Sequence, residues 1–394
     1  MTLEQQDKEY VLQTYTRDYT NFVKGLGSTL YDENGKDYID FAAGIAVNSV
    51  GHGNEKLVSA ICEQVKNIIH ISNLQVIEPQ AKLAQRMVEL SGYDMGVFFA
   101  NSGAEANEGA IKIARKYGET RFENKRYKII TLEHSFHGRT ITTVKATGQE
   151  SFHTANFSPY PDGFSYEKSI ADVYKAIDNE TVAVLIELVQ GEGGVQPFEK
   201  EEVQALAKHL KEKDILLIVD EVQTGVYRTG EFLASNLYEI EPDIITLAKG
   251  LGGGVPIGAV MTKHKDVLSA GDHGSTFGGN YLSTVAGLAV LDILYPLYES
   301  GALDETLVYF SQKLRDIAEK YPHLFEKEVG LGLMRGLRAK SVDIQSAVIK
   351  NSMKEGVIVL KAGRNTVRFL PSLTISKSEI DEGFKRFEKV ISTL

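Results

Sequence analysis

Residues 243–260 read "DIITLAKGLGGGVPIGAV". An apolar, β-branched run ends on one lysine, Lys249, and five of the next nine residues are glycine. β-Branched residues pack well on a pleated surface, so the run reads as a buried strand. A lysine at its far end is either a solvated strand end before a flexible loop or an amine placed for chemistry. In the second case the glycines clear space for a bulky ligand. The surrounding stretches bear on the choice.

Working outward, "VFFA" (97–100), "KIITL" (128–132), "TVAVLIEL" (181–188), "ILLIVD" (215–220) and "IGAVM" (257–261) share the character of that run. Amphipathic stretches lie between them. "EEVQALAKHLKEKD" puts Val203, Leu206, Ala207 and Leu210 on one helical face. Continuous apolar strands alternating with helices predict an α/β fold, a mostly parallel sheet covered by helices on both sides. This large domain is expected over residues 46–288.

The chain ends differ. Residues 24–41 read as a hairpin turning at "ENG". Helices are expected at 281–299 and 303–320, and short strands near 331–338, 357–361 and 366–371. Ser376 and Glu379 have capping-box spacing at the start of a last helix, with Ile375 and Ile380 placed as a hydrophobic staple. Residues 1–45 and 289–394 are expected to form one smaller α+β domain together.

Composition removes several classes. A net charge of −10 without a dense Lys/Arg run argues against nucleic acid. Cys62 is the only cysteine, which fits a reducing compartment and leaves no cysteine-based metal cluster. The N-terminus lacks the pattern of a secretion signal. No apolar stretch is expected to reach the roughly 18 residues of a membrane span. A cytoplasmic protein is the expectation.

Three features carry chemistry. In "FFANSGAEANEGAIKIARKYG" (98–118) a strand leads into a helix opened by Ser102, with Glu105 three residues on. Gly103 and Ala104 are small enough to let an anion reach free N–H groups at the positive end of the helix, although an ordinary N-cap has the same appearance. Asp220 ends the run at 215–220, on the sheet edge where α/β proteins bind ligands, and Gln223 follows in the turn. Lys249 is the third. Pyridoxal phosphate requires a lysine for its aldehyde, an acid for its pyridine nitrogen and an anion site for its phosphate. A dinucleotide loop is the rival for the glycines, but Pro256 interrupts the helix it needs.

Two more segments join the set. Phe136 can stack on a ring, and Arg139 can grip a carboxylate with two prongs. His134 and His137 have near-metal spacing without a third ligand beside them. Glu187, Gln190 and Glu192 crowd a strand end, which calls for a nearby cation, and Arg368 in "TVRFLPSL" is the natural partner.

These residues resemble the pyridoxal-phosphate aminotransferases called class III or subgroup II. The resemblance runs from "LYDENGKDYIDFAAGIAVNSVGHGN" to "VRFLPSL". "GIAVNSVGH", "HISNL", "FFANSGAEANEGAIKIAR", "SFHGRT" with "KATG", and "STFGGN" are similar to the branch acting on acetylornithine. The resemblance implies fold-type I and a homodimer. It implies that Lys249 holds the cofactor and shuttles a proton, that Asp220 keeps the pyridine nitrogen protonated, and that Gln223 meets the ring hydroxyl. Ser102, Gly103, Ala104, Phe136, Glu221 and Val222 would also surround the cofactor. Thr276 would reach the phosphate of the neighbouring subunit. Arg139 and Ser275 would touch the acylated amino donor, and Arg368 the carboxylate of 2-oxoglutarate or glutamate. Glu192 would pair with Arg368 while the donor is bound.

Leu188, Tyr281 and "GHGNEK" depart from the usual pattern at positions that shape the cavity. Other ω-amines remain as rival donors: succinylornithine, N-succinyl-diaminopimelate, ornithine or 4-aminobutyrate. An aminomutase and a non-catalytic carrier of the same cofactor are rivals of other classes.

Overall fold

A computed structural model describes residues 1–153 and 157–394. Its centre is a seven-stranded sheet. In chain order the strands are β1 (Gly96–Ala100), β2 (Lys128–Leu132), β3 (Phe164–Glu167), β4 (Thr181–Ile186), β5 (Leu216–Asp220), β6 (Ile244–Leu247) and β7 (Gly258–Thr262). Their order across the sheet is β1-β7-β6-β5-β4-β2-β3. β7 runs antiparallel to both of its neighbours, and the pairs from β6 to β3 are parallel. Every predicted strand of this sheet forms within about two residues of its expected ends, and β3 is an addition.

All six residues of β4 are buried, as a strand covered on both faces requires. One face packs on helix Gly103–Arg121 through Ala106, Ala110, Ile113 and Ala114. The other packs on helix Lys200–Glu212 through Val203, Leu206 and Leu210. Each of the larger side chains, Ile113, Val203, Leu206 and Leu210, contributes about 1.5–3 kcal/mol by leaving water.

Helix Tyr281–Glu299 corrects one expectation, being long and apolar enough by composition for a membrane span. Its face of Ala286, Gly287, Val290, Leu291 and Leu294 is nonetheless buried in the protein core. It packs on helices Glu55–Asn67 and Glu78–Ser91.

Both chain ends build beside the large sheet. Strands Phe22–Leu26, Thr29–Asp32 and Asp37–Asp40 form an antiparallel set, and Val357–Ile358 joins it in parallel. A second four-stranded sheet comes from the C-terminal third. There the expected strand near 331–338 is a hairpin, Phe325–Leu331 with Met334–Ala339. Gly330 and Gly332 adopt positive φ at that turn, which few other residues do cheaply. The last helix, Lys377–Ile391, carries the predicted capping box between Ser376 and Glu379.

Candidate active site

β1 and the strands β2, β4, β5 and β6 that run parallel to it point their C-terminal ends at one cavity of about 400 Å³. Ser102–Ala104 follow β1, Phe136–Arg139 follow β2, Glu187 follows β4, Asp220 ends β5 and Lys249 follows β6. This is the sheet edge where open α/β folds bind ligands.

Ser102 caps the helix, its hydroxyl accepting the Glu105 amide at 3.2 Å. The Glu105 carboxylate reaches the Asn101 amide at 2.6 Å rather than Ser102 itself. The amides of Gly103 and Ala104, in the first helical turn, have no intrahelical acceptor and stand at the cavity wall. A Cβ on Gly103 would lie 2.8 Å from Val222 Cγ1, so glycine keeps this cradle open.

Three donors converge on Asp220. Asn107 Nδ2 donates to Oδ2 at 2.7 Å, the Val222 amide donates to Oδ1 at 3.0 Å, and His137 Nδ1 lies 2.8 Å from Oδ2. His137, first read with metal spacing, is thus committed to Asp220. Asn107 is fixed in turn, donating to the His137 carbonyl at 2.8 Å and accepting from Thr246 Oγ1 at 2.8 Å. The sequence carried a signal for Asn107: it is the polar residue on the sheet-facing stripe of Gly103, Ala110, Ile111 and Ala114.

Lys249 sits across the cavity in a short 3₁₀ turn with φ of 41°, a left-handed conformation that lysine adopts only under constraint. Burial, and secondarily the charge of Arg368, hold its amine below the usual 10.5. Of the five glycines after it, only Gly254 lines the cavity. Gly258 has another purpose, since a Cβ there would come 2.2 Å from the Ser102 carbonyl. The glycine run thus serves close backbone packing more than ligand space.

Glu192 lines the cavity and accepts from Arg368 Nη1 at 2.7 Å. The arginine side chain is 3% exposed and the glutamate 33%. Gln223 Oε1 lies 3.5 Å from the same Nη1. Arg368 Nε is buried without a hydrogen-bond partner among the described residues. Arg139 lies over the Phe152 ring at 4.0 Å and the Phe136 ring at 5.3 Å.

Three of the expected residues, Glu221, Ser275 and Thr276, are not in the lining of this cavity. The Glu221 carboxylate turns into the core, where the Ala234 and Ser235 amides donate to it at 2.7 Å each. It caps helix Ala234–Leu237 in place of facing a ligand, because strand alternation puts it opposite Asp220. Ser275 and Thr276 line an adjoining cavity with His273 and Phe277. Ser275 Oγ accepts from Asn101 Nδ2 at 3.2 Å, which ties that loop to the helix entrance.

The donor set suits pyridoxal phosphate: an amine, a fixed carboxylate and a glycine cradle at a helix N-terminus share one cavity.

Comparison with known proteins agrees. The family profile described as Aminotransferase class-III matches residues 12–391. The acetylornithine aminotransferase of Wolinella succinogenes is 63% identical over 386 residues, covering 98% of each chain. That of Aquifex aeolicus is 44% identical, covering 97% of this chain and 100% of its own. Among solved structures, an ornithine aminotransferase from Toxoplasma gondii superposes with a TM-score of 0.93 at 31% identity, over 99% of this chain and 94% of its own. N-acetylornithine aminotransferase from Stenotrophomonas maltophilia gives a TM-score of 0.82 at 32% identity, over 96% and 97%. The chain belongs to the class-III aminotransferases, enzymes of fold-type I.

Proposed function

We propose that this aminotransferase moves the δ-amino group of N2-acetyl-L-ornithine to 2-oxoglutarate, giving N-acetyl-L-glutamate 5-semialdehyde and glutamate. Support comes from relatives of that name at 41–63% identity and from the resemblance noted in the sequence. The observation that carries the chemistry is Lys249 facing Asp220 and the Gly103–Ala104 amides across one cavity.

Pyridoxal phosphate supplies an electrophilic aldehyde and an electron-withdrawing ring. Lys249 Nζ is its attachment point, and an amine held below its usual range is neutral, hence nucleophilic, in a larger fraction of molecules. The same Nζ would also be the group in the cavity able to take and return a proton at the reacting carbon. Asp220 is clamped by Asn107 and His137 and would hold a proton on the ring nitrogen. Gly103 and Ala104 would offer amides to the phosphate, Phe136 would cover the ring and Gln223 would meet the ring hydroxyl.

The buried Arg368 explains how one site serves two substrates. Its charge requires an anion. Glu192 supplies that anion while a donor with an ω-amine is bound. When the dicarboxylic oxo acid enters, Glu192 is the more exposed partner and the one able to leave. The incoming carboxylate then takes Arg368, including its free Nε. Arg139 and Ser275 are assigned to the acylated donor.

A homodimer completes the account, with Thr276 reaching a neighbour's phosphate. Phe277, Leu74 and Val76 are 60%, 89% and 87% exposed around that loop, an apolar surface that a second copy would cover. The test of substrate choice is kcat/KM for acetylornithine, succinylornithine, N-succinyl-diaminopimelate, ornithine and 4-aminobutyrate with 2-oxoglutarate. Acetylornithine should lead by about tenfold or more, the net worth of one hydrogen bond. A higher value for any of the other four would reassign the donor, and turnover without an oxo acid would indicate an aminomutase.

A further inference from the structure

Two buried carboxyl groups, Asp220 and Glu187, line the same cavity wall. Their surroundings are unequal. Asp220 is met by Asn107 Nδ2, the Val222 amide and His137 Nδ1. Glu187, 7% exposed, accepts the Phe136 amide on Oε2 at 3.0 Å. Donors favour the charged form of an acid, and a second carboxylate nearby disfavours it. A buried acid with few donors and a second carboxyl nearby therefore favours its neutral form.

We propose that Glu187 is a positioning residue that acts as a neutral acid. One oxygen anchors the Phe136 amide, and the carboxyl keeps its proton at the cavity wall. The segment Phe136–His137 is then pinned at both ends, its first amide on Glu187 and its second ring on Asp220. That fixes the Phe136 ring at the cavity wall and the His137 ring behind the acid.

The groups facing Glu187 from neighbouring elements pull in both directions, and the upward pull is the larger. Burial comes first and Asp220 second in pushing its carboxyl well above the usual 4.5. The Phe136 amide, Lys249 and the Gly191 amide pull the other way with smaller effect. Glu192 is neutralised by Arg368, and Arg139 is engaged with the two phenylalanine rings.

The inference rests on the cofactor reading only for the identity of the ligand. Its test uses Glu187→Gln, which keeps an oxygen for the Phe136 amide and mimics the neutral acid, and Glu187→Ala, which removes the anchor. Chemical denaturation of the apoprotein is measured between about pH 5 and about pH 8.5, where a raised carboxyl makes its mark. The folded state holds this proton more tightly than the unfolded chain. Stability due to Glu187 is therefore greatest at low pH, and falls as pH rises above 4.5 until the folded protein releases the proton. Native protein should lose stability relative to Glu187→Gln over that rise.

Pyridoxal phosphate is then titrated into each apoprotein. Glu187→Ala should weaken binding about tenfold, the worth of one buried hydrogen bond, and Glu187→Gln should recover it to within about threefold. A native-to-Gln stability difference that does not vary with pH would overturn the proposal, as would a Gln variant that binds as weakly as the Ala variant. Should Glu187→Ala fail to fold, the native-to-Gln comparison alone decides. Failure of native protein to bind the cofactor would refute the cofactor reading, while the pH comparison still tests the proton on Glu187.

Discussion

Arg368 Nη1 donates to Glu192 Oε1 at 2.7 Å, closing a contact between residues 176 apart in sequence. The arginine is buried and the glutamate is partly open to solvent, so the pair has one fixed and one movable member.

Removing the movable member exposes the need of the fixed one. Glu192→Ala should lower KM for glutamate and 2-oxoglutarate by about tenfold, because a buried arginine without its partner favours an incoming carboxylate. Steady-state kinetics of both half-reactions checks this. Unchanged KM values for all substrates would show that the pair is structural.

Asn107 links helix Gly103–Arg121 to Asp220, the His137 carbonyl and Thr246. Asn107→Leu leaves those three polar groups short of a partner in the core. A loss of roughly 1–3 kcal/mol in urea denaturation is expected, the cost of buried polar groups left unsatisfied. Cofactor affinity should fall with it.

Gly103 and Val222 share the cradle, with 2.8 Å between a would-be Cβ and Val222 Cγ1. Gly103→Ala should weaken cofactor binding about tenfold, and adding Val222→Ala should recover part of the loss, as coupled neighbours do. Additive losses in the double variant would show that the two side chains do not compete for this space.

Lys249 gives a pH dependence of opposite sense to that of Glu187. Its amine is held below 10.5 by burial first and Arg368 second. The unfolded chain therefore binds this proton more tightly than the folded one, and apoprotein stability is lost as pH falls below 10.5 through the folded value. Lys249→Met removes that dependence and should make the apoprotein more stable at neutral pH. Equal stability of the two apoproteins across the range would contradict the assigned shift.

The central sheet was legible because its strands are apolar on both faces and bounded by helical patterns. Ser102, Asp220 and Lys249 stood out as polar residues at the ends of such runs. β3 was hidden because "FSYE" is half-buried along its whole length and lacks the continuous apolar pattern. The Asp220–Asn107–His137 cluster was hidden for a different reason. It joins positions 83 and 113 residues apart, and no local pattern encodes that distance. Glu221 was misplaced because its neighbours face the cavity while strand alternation turns it into the core. Helix Tyr281–Glu299 was underestimated as an apolar segment because Asp292 and Pro296 interrupt it, yet one face of it remains continuous in the core.

The most direct test of the whole account is the visible absorbance of cofactor-loaded protein mixed with N-acetylornithine in the absence of any oxo acid. The band of the lysine-bound cofactor should bleach, return on adding 2-oxoglutarate, and be absent from Lys249→Ala. A band that persists unchanged in Lys249→Ala, or native protein that never acquires one, would contradict the placement of Lys249 at the centre of the chemistry.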